Sequence, residues 1–212
     1  MKISDIIELS ESTLPDSAED RYWKTASADD LWALDKLILS KKLGYVCGPA
    51  GIDVPKAGDY IVRPVLNAKG LGLGAEKMHL KNDTTHLPTG TFWCEWFEGK
   101  HLSVDYNKGK QVLCVEGFKS KDTLTKWDKW VRVEEQVPLD PMIKKYFGNK
   151  PELNVEYIDG KVIEIHFRRN EDFQGDIQEF IPVWEGQSTK APKGYKYIKY
   201  PDLHGRIGAF VK

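Results

Sequence analysis

Asn154-Val155-Glu156-Tyr157-Ile158-Asp159-Gly160-Lys161-Val162-Ile163-Glu164-Ile165-His166-Phe167-Arg168-Arg169-Asn170 decides how the chain is read. Two apolar, β-favouring runs flank Asp159-Gly160, a strong short-range hairpin signal. On the second strand, the period of two places Glu164, His166 and Arg168 on one face and Ile163, Ile165 and Phe167 on the other. An acid, an imidazole and a guanidinium in register are costly to pack into a core. They make sense against a charged ligand. The competing reading is an ordinary solvent-facing edge strand. Turn length decides where Glu156 falls. A two-residue loop opposes it to Ile163, whereas a three-residue loop with a left-handed Gly brings it to the face of Glu164. We expect the three-residue loop, because it keeps the apolar side free of carboxylate.

The 212 residues suffice for one large domain or two small lobes with a buried core. Charged residues make up 30% and hydrophobic ones 41%, as in an ordinary soluble globular protein. A formal charge of −1 provides no basic field, so nucleic acid is not an expected partner. The N-terminus lacks a signal-peptide core and no run of 18 or more apolar residues exists, so we expect a cytoplasmic protein with no membrane span. Cys47, Cys94 and Cys114 are odd in number, widely spaced and without a CxxC pair, and read as buried reduced thiols.

Residues 1–26 read as an N-terminal extension with the weak apolar run Ile3, Ile6 and Ile7. Ser27 with Asp30 resembles a capping box, so a helix is expected from there to Gly44, with Leu31, Leu34 and Ile38 on one stripe. From Tyr60 onward strands are expected over 61–63, 92–97, 102–106, 111–118 and 130–137, then the closing hairpin. Asn107-Lys108-Gly109-Lys110 reads as a hairpin turn. Pro141 suits the first turn of a short helix ending at Gly148. The segment from Ser188, with Lys190, Lys193, Lys196 and Lys199 among Tyr195, Tyr197 and Tyr200, reads as a solvated, extended or loosely docked tail. The fold class is α+β, dominated by antiparallel sheet.

Three further segments accompany the hairpin. Leu34-Asp35-Lys36 starts a helix-like run. Tyr60-Ile61-Val62-Arg63-Pro64 precedes Asn67-Ala68-Lys69-Gly70-Leu71-Gly72-Leu73-Gly74. Trp93-Cys94-Glu95-Trp96-Phe97-Glu98-Gly99 continues to Ser103-Val104-Asp105. In this order, over about residues 34–168, they resemble the ATP-grasp superfamily: an Asp-Lys opening, a strand and glycine-rich phosphate loop, a hinge strand for adenine, and a closing acid, Glu-x-x-x-Arg motif.

The resemblance implies two small α+β lobes clasping a nucleotide, with residues 27–187 as the ATP-grasp-like region, a lobe boundary near 92–97, and 188–212 as a tail. It implies ATP and magnesium as cofactors. Lys36, Arg63 and the loop glycines Gly70, Gly72 and Gly74 would hold phosphates, and Glu95 and Phe97 the base. His101 would stand where a Glu often holds the ribose. Glu156, Glu164 and His166 would stand at the metal positions, and Arg168 at the transferring phosphate.

Several residues depart from the family pattern. Arg63 replaces a Lys, and a planar fork is not a compact ammonium. His166 replaces an Asn oxygen with nitrogen. Three readings follow: magnesium on the two acids with His166 outside the shell, a preference for manganese, or a degenerate site. Family enzymes also carry a sizeable domain before the Asp-Lys opening, where this chain has 34 residues. A protein partner or a second copy would then complete the substrate platform. The expected function is an ATP-dependent ligase joining a small carboxylate or peptide to an amine or other nucleophile through an acyl phosphate. The alternatives are a non-catalytic nucleotide- or partner-binding module of the same fold, and a β-rich interaction protein without a nucleotide site.

Overall fold

Asp35 sets where the first helix begins. Its backbone is extended (φ −84°, ψ 104°) and its side chain accepts the Ile38 N–H, so the α-helix α1 runs only over Lys36–Lys42. Ser27 does not open this helix. Ahead of it lie a turn closed by Asp30 N–H to Ser27 C=O and a 3₁₀ turn over Leu31–Ala33. Leu31 and Ile38 are consequently exposed while Leu34 is buried, so the expected stripe does not form. Gly44, at φ 78°, stops the helix as anticipated.

The computed structural model describes residues 27–66, 72–119 and 124–212, the side chains of 201–203 excepted. The expected extension over 1–26 and Gly70 lie outside the described residues. The chain divides into two units, residues 1–97 with 162–168, and residues 98–161 with 169–212.

In the first unit, strands β1 (Cys47–Pro49), β2 (Gly58–Pro64), β3 (Glu76–Leu80) and β4 (Thr91–Glu95) form an antiparallel sheet in the order β1-β4-β2-β3. Alternation along β2 sends Tyr60 and Val62 to one face and Ile61 and Arg63 to the other. The first face packs with Val54, Leu80, Leu87 and Trp93 into a core, Tyr60 meeting Trp93 edge to face at 5.4 Å. Trp93 donates its indole N–H to Ile52 C=O at 2.8 Å. Its ring also lies over Gly48, where an added Cβ would come within 2.6 Å of it.

In the second unit, strands β5 (His101–Asn107), β6 (Lys110–Phe118), β7 (Lys129–Arg132), β8 (Leu153–Ile158), β10 (Glu179–Trp184), β11 (Lys196–Leu203) and β12 (Arg206–Val211) follow the order β11-β12-β10-β7-β6-β5-β8. Leu113, Val115, Phe173, Phe180, Ala209 and Val211 form its core. The segment from Ser188 is therefore not a loosely docked tail. Its strand β12 pairs with β10 and contributes Ala209 and Val211 to that core. The expected strand over 130–137 keeps only Lys129–Arg132. The short helix α2 spans Pro141–Phe147 and ends at Gly148, as its Pro predicts, with Asp140 accepting the N–H groups of Met142 and Ile143.

The chain leaves β8 and returns to the first unit as β9 (Lys161–His166). Asp159 and Gly160, at φ 49° and 75°, are the only two residues between these strands. This is a two-residue turn with both central residues left-handed, so the expected three-residue loop is not formed. Lys108-Gly109 closes β5–β6 in the same way, with φ 47° and 75°. No helix among the described residues is long and apolar enough to cross a membrane.

Asp140 satisfies two helix-end donors with one carboxylate. Replacing it with Ala should lower unfolding stability by about 1 kcal/mol, read as a shift in the denaturant midpoint with unchanged slope.

Candidate functional site

Charged side chains of the first unit include one on the sheet face opposite its Trp93 core. Arg63 points there from β2 and is buried. Its Nη2 donates to Ile163 C=O at 3.0 Å, and its guanidinium lies 5.3 Å from the Phe92 ring centroid. Lys36, at the first position of α1, sends Nζ to Glu164 Oε2 at 3.2 Å. The other Glu164 oxygen, Oε1, lies 3.4 Å from His166 Nε2. Lys36 is 5% exposed, Glu164 9% and His166 4%, so this chain of contacts is almost dry. Four of the residues singled out in the sequence are thus brought into one unit from positions 36, 63, 164 and 166. Arg168, the last residue of that unit, is half-buried.

The hinge residues Glu95 and Phe97 both contact the segment ahead of β1. Glu95 Oε1 accepts the Val46 N–H at 3.0 Å, and the Glu95 N–H donates to Val46 C=O at 2.9 Å. Both groups are engaged in holding the chain ahead of β1, so this N–H is not directed at a base edge. Phe97 is buried against Tyr45, edge to face at 4.9 Å. Gly72 and Gly74 sit at φ 64° and 77°, backbone that favours glycine.

His101 and Glu156 belong to the second unit and meet each other. His101 Nε2 lies 3.1 Å from Glu156 Oε2, and the imidazole stands edge-on to Trp127 at 4.6 Å and Trp130 at 5.4 Å. The β5–β8 register explains this pairing, since Ser103 opposes Glu156 and His101 opposes Ile158 two pairs along, on the same face.

That same face carries a network that the sequence reading passed over. Asp105 is 2% exposed. It accepts from Asn154 Nδ2 at 2.8 Å and from the Asn170 backbone N–H at 3.0 and 3.1 Å. Asn154 Nδ2 also reaches Ser103 Oγ at 2.8 Å, and Asn170 Oδ1 accepts the Asp172 N–H at 3.0 Å. Arg206 closes the chain on Asp172 at 2.8 Å. The available signal was the alternation His101, Ser103, Asp105 on a strand, the same kind of polar row that drew attention to Glu164 and His166.

The donor set can be weighed against magnesium. Among the described residues, no group of three or more His, Cys, Asp or Glu side chains is disposed to hold a metal ion. In the first unit, Glu164 already carries a lysine ammonium on one oxygen, and its neighbour His166 offers nitrogen. Magnesium requires a near-octahedral set of oxygens. These side chains, as arranged, do not fit it.

Removing the Lys36 ammonium would leave Glu164 buried without this partner. Lys36→Met should destabilise the fold by about 3–5 kcal/mol, the usual range for breaking a buried pair. Lys36→Met with Glu164→Leu should cost much less, a non-additivity readable by equilibrium denaturation of the three variants.

No family model matches this chain, and no curated protein does. Among solved structures, it is similar to carboxyaminoimidazole ribonucleotide synthase from Aspergillus clavatus complexed with ATP, with TM-score 0.52 and 10% identity over 85% of this chain and 68% of that one. An L-amino acid ligase from Bacillus licheniformis follows at TM-score 0.48 and 12% identity, covering 87% of this chain and 67% of that one. A putative ATP-grasp superfamily protein from Archaeoglobus fulgidus gives 0.42 and 20% identity over 66% of this chain, and this chain spans 47% of its length. With two antiparallel sheets and two short α-helices among its described residues, the chain has an ATP-grasp-like fold.

Proposed function

We propose that this chain binds ATP and uses it to activate a carboxylate for capture by an amine or other nucleophile. The main support is the burial of Lys36, Arg63, Glu164 and His166 within one unit of an ATP-grasp-like fold. A buried lysine and a buried arginine in one unit favour an anionic ligand, and phosphate is the anion that such cations hold best. In the proposed reaction a carboxylate oxygen attacks the γ-phosphorus and ADP departs. The nucleophile then attacks the acyl carbon, inorganic phosphate leaves with the electron pair, and the proton that the amine sheds passes to phosphate or solvent. Lys36 and Arg63 bind the phosphates. Arg168 faces the charge that moves from the β–γ bridge to the transferring group. The substrate would be a small carboxylate or a peptide.

A second reading is a binding module of the same fold without ligase chemistry. Two observations favour it. Glu164 is paired with Lys36, and Glu156 is taken up by His101.

Calorimetry and thermal shift with ATP, ADP and GTP, each with and without magnesium or manganese, test the nucleotide reading. Dose-dependent stabilisation by ATP is expected. Neither heat nor stabilisation at millimolar nucleotide, with folded protein, removes it. ADP release that requires an added carboxylate separates ligase from binder. In an active protein Arg168→Ala should raise the activation free energy by about 2–4 kcal/mol, as for loss of one preorganised donor, and weaken ATP binding far less. Tight ATP binding without ADP release from any carboxylate and amine mixture would favour the module.

A further inference from the structure

Cys47 and Cys94 are 47 positions apart in sequence and stand directly opposite each other in the antiparallel β1–β4 pair. The ladder around them fixes the kind of pair they form. Glu95 N–H donates to Val46 C=O at 2.9 Å, and Ala50 N–H to Thr91 C=O at 3.1 Å. Hydrogen-bonded pairs alternate with non-bonded ones along such a ladder. Counting inward from both ends makes Cys47–Cys94 a non-hydrogen-bonded pair. Pro49–Phe92 falls in the same class, consistent with proline lacking an N–H.

At non-hydrogen-bonded antiparallel positions the Cα atoms lie about 4.5 Å apart and both side chains project from the same face. A disulfide spans Cα separations of about 4.4–6.8 Å, so this pair falls within its reach. Cys47 is also among the groups that raise the Cys94 thiol, after burial and against Arg63. β1 is three residues long and forms the edge of its sheet, so it can yield towards β4 as the sulfurs close. Cys94 is buried and Cys47 half-buried, so Cys47 is the more exposed residue of the pair.

We propose that Cys47 and Cys94 are a reversible oxidation site that closes a cross-strand disulfide in the first unit. The oxidant is a small-molecule disulfide. The Cys47 thiolate attacks one of its sulfurs, forming a mixed disulfide and expelling one thiolate. Cys94 then loses its proton and attacks Cys47 Sγ, expelling the second thiolate. The protein gives up two electrons and two protons, and the oxidant ends as two thiols.

The surroundings set the pace. Burial raises the Cys47 thiol, Lys41 and Arg63 pull it down, and Glu95 adds to the rise. Burial pushes Cys94 to about 12, against the pull of Arg63 and a hydrogen bond from Ser40. Both are mostly protonated near neutrality, so closure should be slow there. It should quicken roughly tenfold per pH unit while the thiolate remains the minor form. Cys114, on β6 in the other unit, has no cysteine opposite it, since its β5 partner is Val104.

The test treats the reduced, folded chain with oxidised glutathione at pH 7, 8 and 9, then counts thiols after denaturing quench and maps peptides without reductant. We expect the thiols to fall from the three in the sequence to Cys114 alone, with a Cys47–Cys94 linked peptide in monomeric protein. Dithiothreitol should restore all three. Cys114→Ser should still close the link, and Cys47→Ser should abolish it. Three persisting thiols at pH 9 in protein shown folded by circular dichroism would overturn the proposal. So would a stable glutathione adduct on Cys47, or a link that joins two chains or uses Cys114. The thiol count is independent of nucleotide binding, so neither result decides the other.

Discussion

A lysine ammonium held against a buried carboxylate is the contact around which the first unit is organised. Lys36 and Glu164 lie 128 positions apart, and each would be costly to bury alone, by several kcal/mol even after relaxation. Together they tolerate a nearly dry setting, provided that the N-terminus of α1 and strand β9 both stay in place. Asp35 supports this arrangement from the helix side. It caps α1 so that Lys36 is its first residue, and the Lys36 N–H donates to Val65 C=O at 2.9 Å. Arg63 supports it from the sheet side by donating to the backbone of Ile163, one residue before Glu164. The ammonium that pairs with the carboxylate is also one that a nucleotide's phosphates would meet under the proposed function. Ligand binding would therefore compete with, or rearrange, an interaction that the fold itself uses.

The second unit solves the same problem by different chemistry. Asp105 is as deeply buried as any charge among the described residues, and it is held by hydrogen-bond donors from Asn154 and the Asn170 backbone. N–H donors to a carboxylate stabilise its charged form and fix its direction more tightly than a flexible ammonium does. The network thereby pins residues 170–172 to β5 and β8, a stretch that begins two residues after Arg168. Glu156, two pairs along on the same face, takes its partner from His101, whose ring is walled by two tryptophans.

Local chemistry was legible where one or two residues control the backbone. Lys108-Gly109 and Asp159-Gly160 marked their turns, and Pro141 marked the start of α2, because φ preferences act without reference to the rest of the chain. The polar row on β9 was legible for a similar reason, since the strand period fixes which residues share a face. Of the two helix starts that the sequence offers, Ser27 and the run begun by Leu34-Asp35-Lys36, the second is the one formed. Ser27 and Asp35 both suit a helix start, and only Asp35 also lies where residues 35 and 66 bridge. At Asp159-Gly160 the two-residue preference of Asp-Gly prevails over the polarity of Glu156 in setting the turn length.

Taken alone, the sequence determined an antiparallel α+β chain, its hairpin turns, and a set of charged residues too costly to bury without partners. Tertiary structure decided which partner each one received. Glu164 went to Lys36, Glu156 to His101 and Asp105 to Asn154 and Asn170, while Cys47 came to stand opposite Cys94. Strand order, as in the docking of β12 beside β10, was likewise out of reach of periodicity. Pairing across tens of residues depends on the total burial and register of the folded state, which no window of the sequence contains.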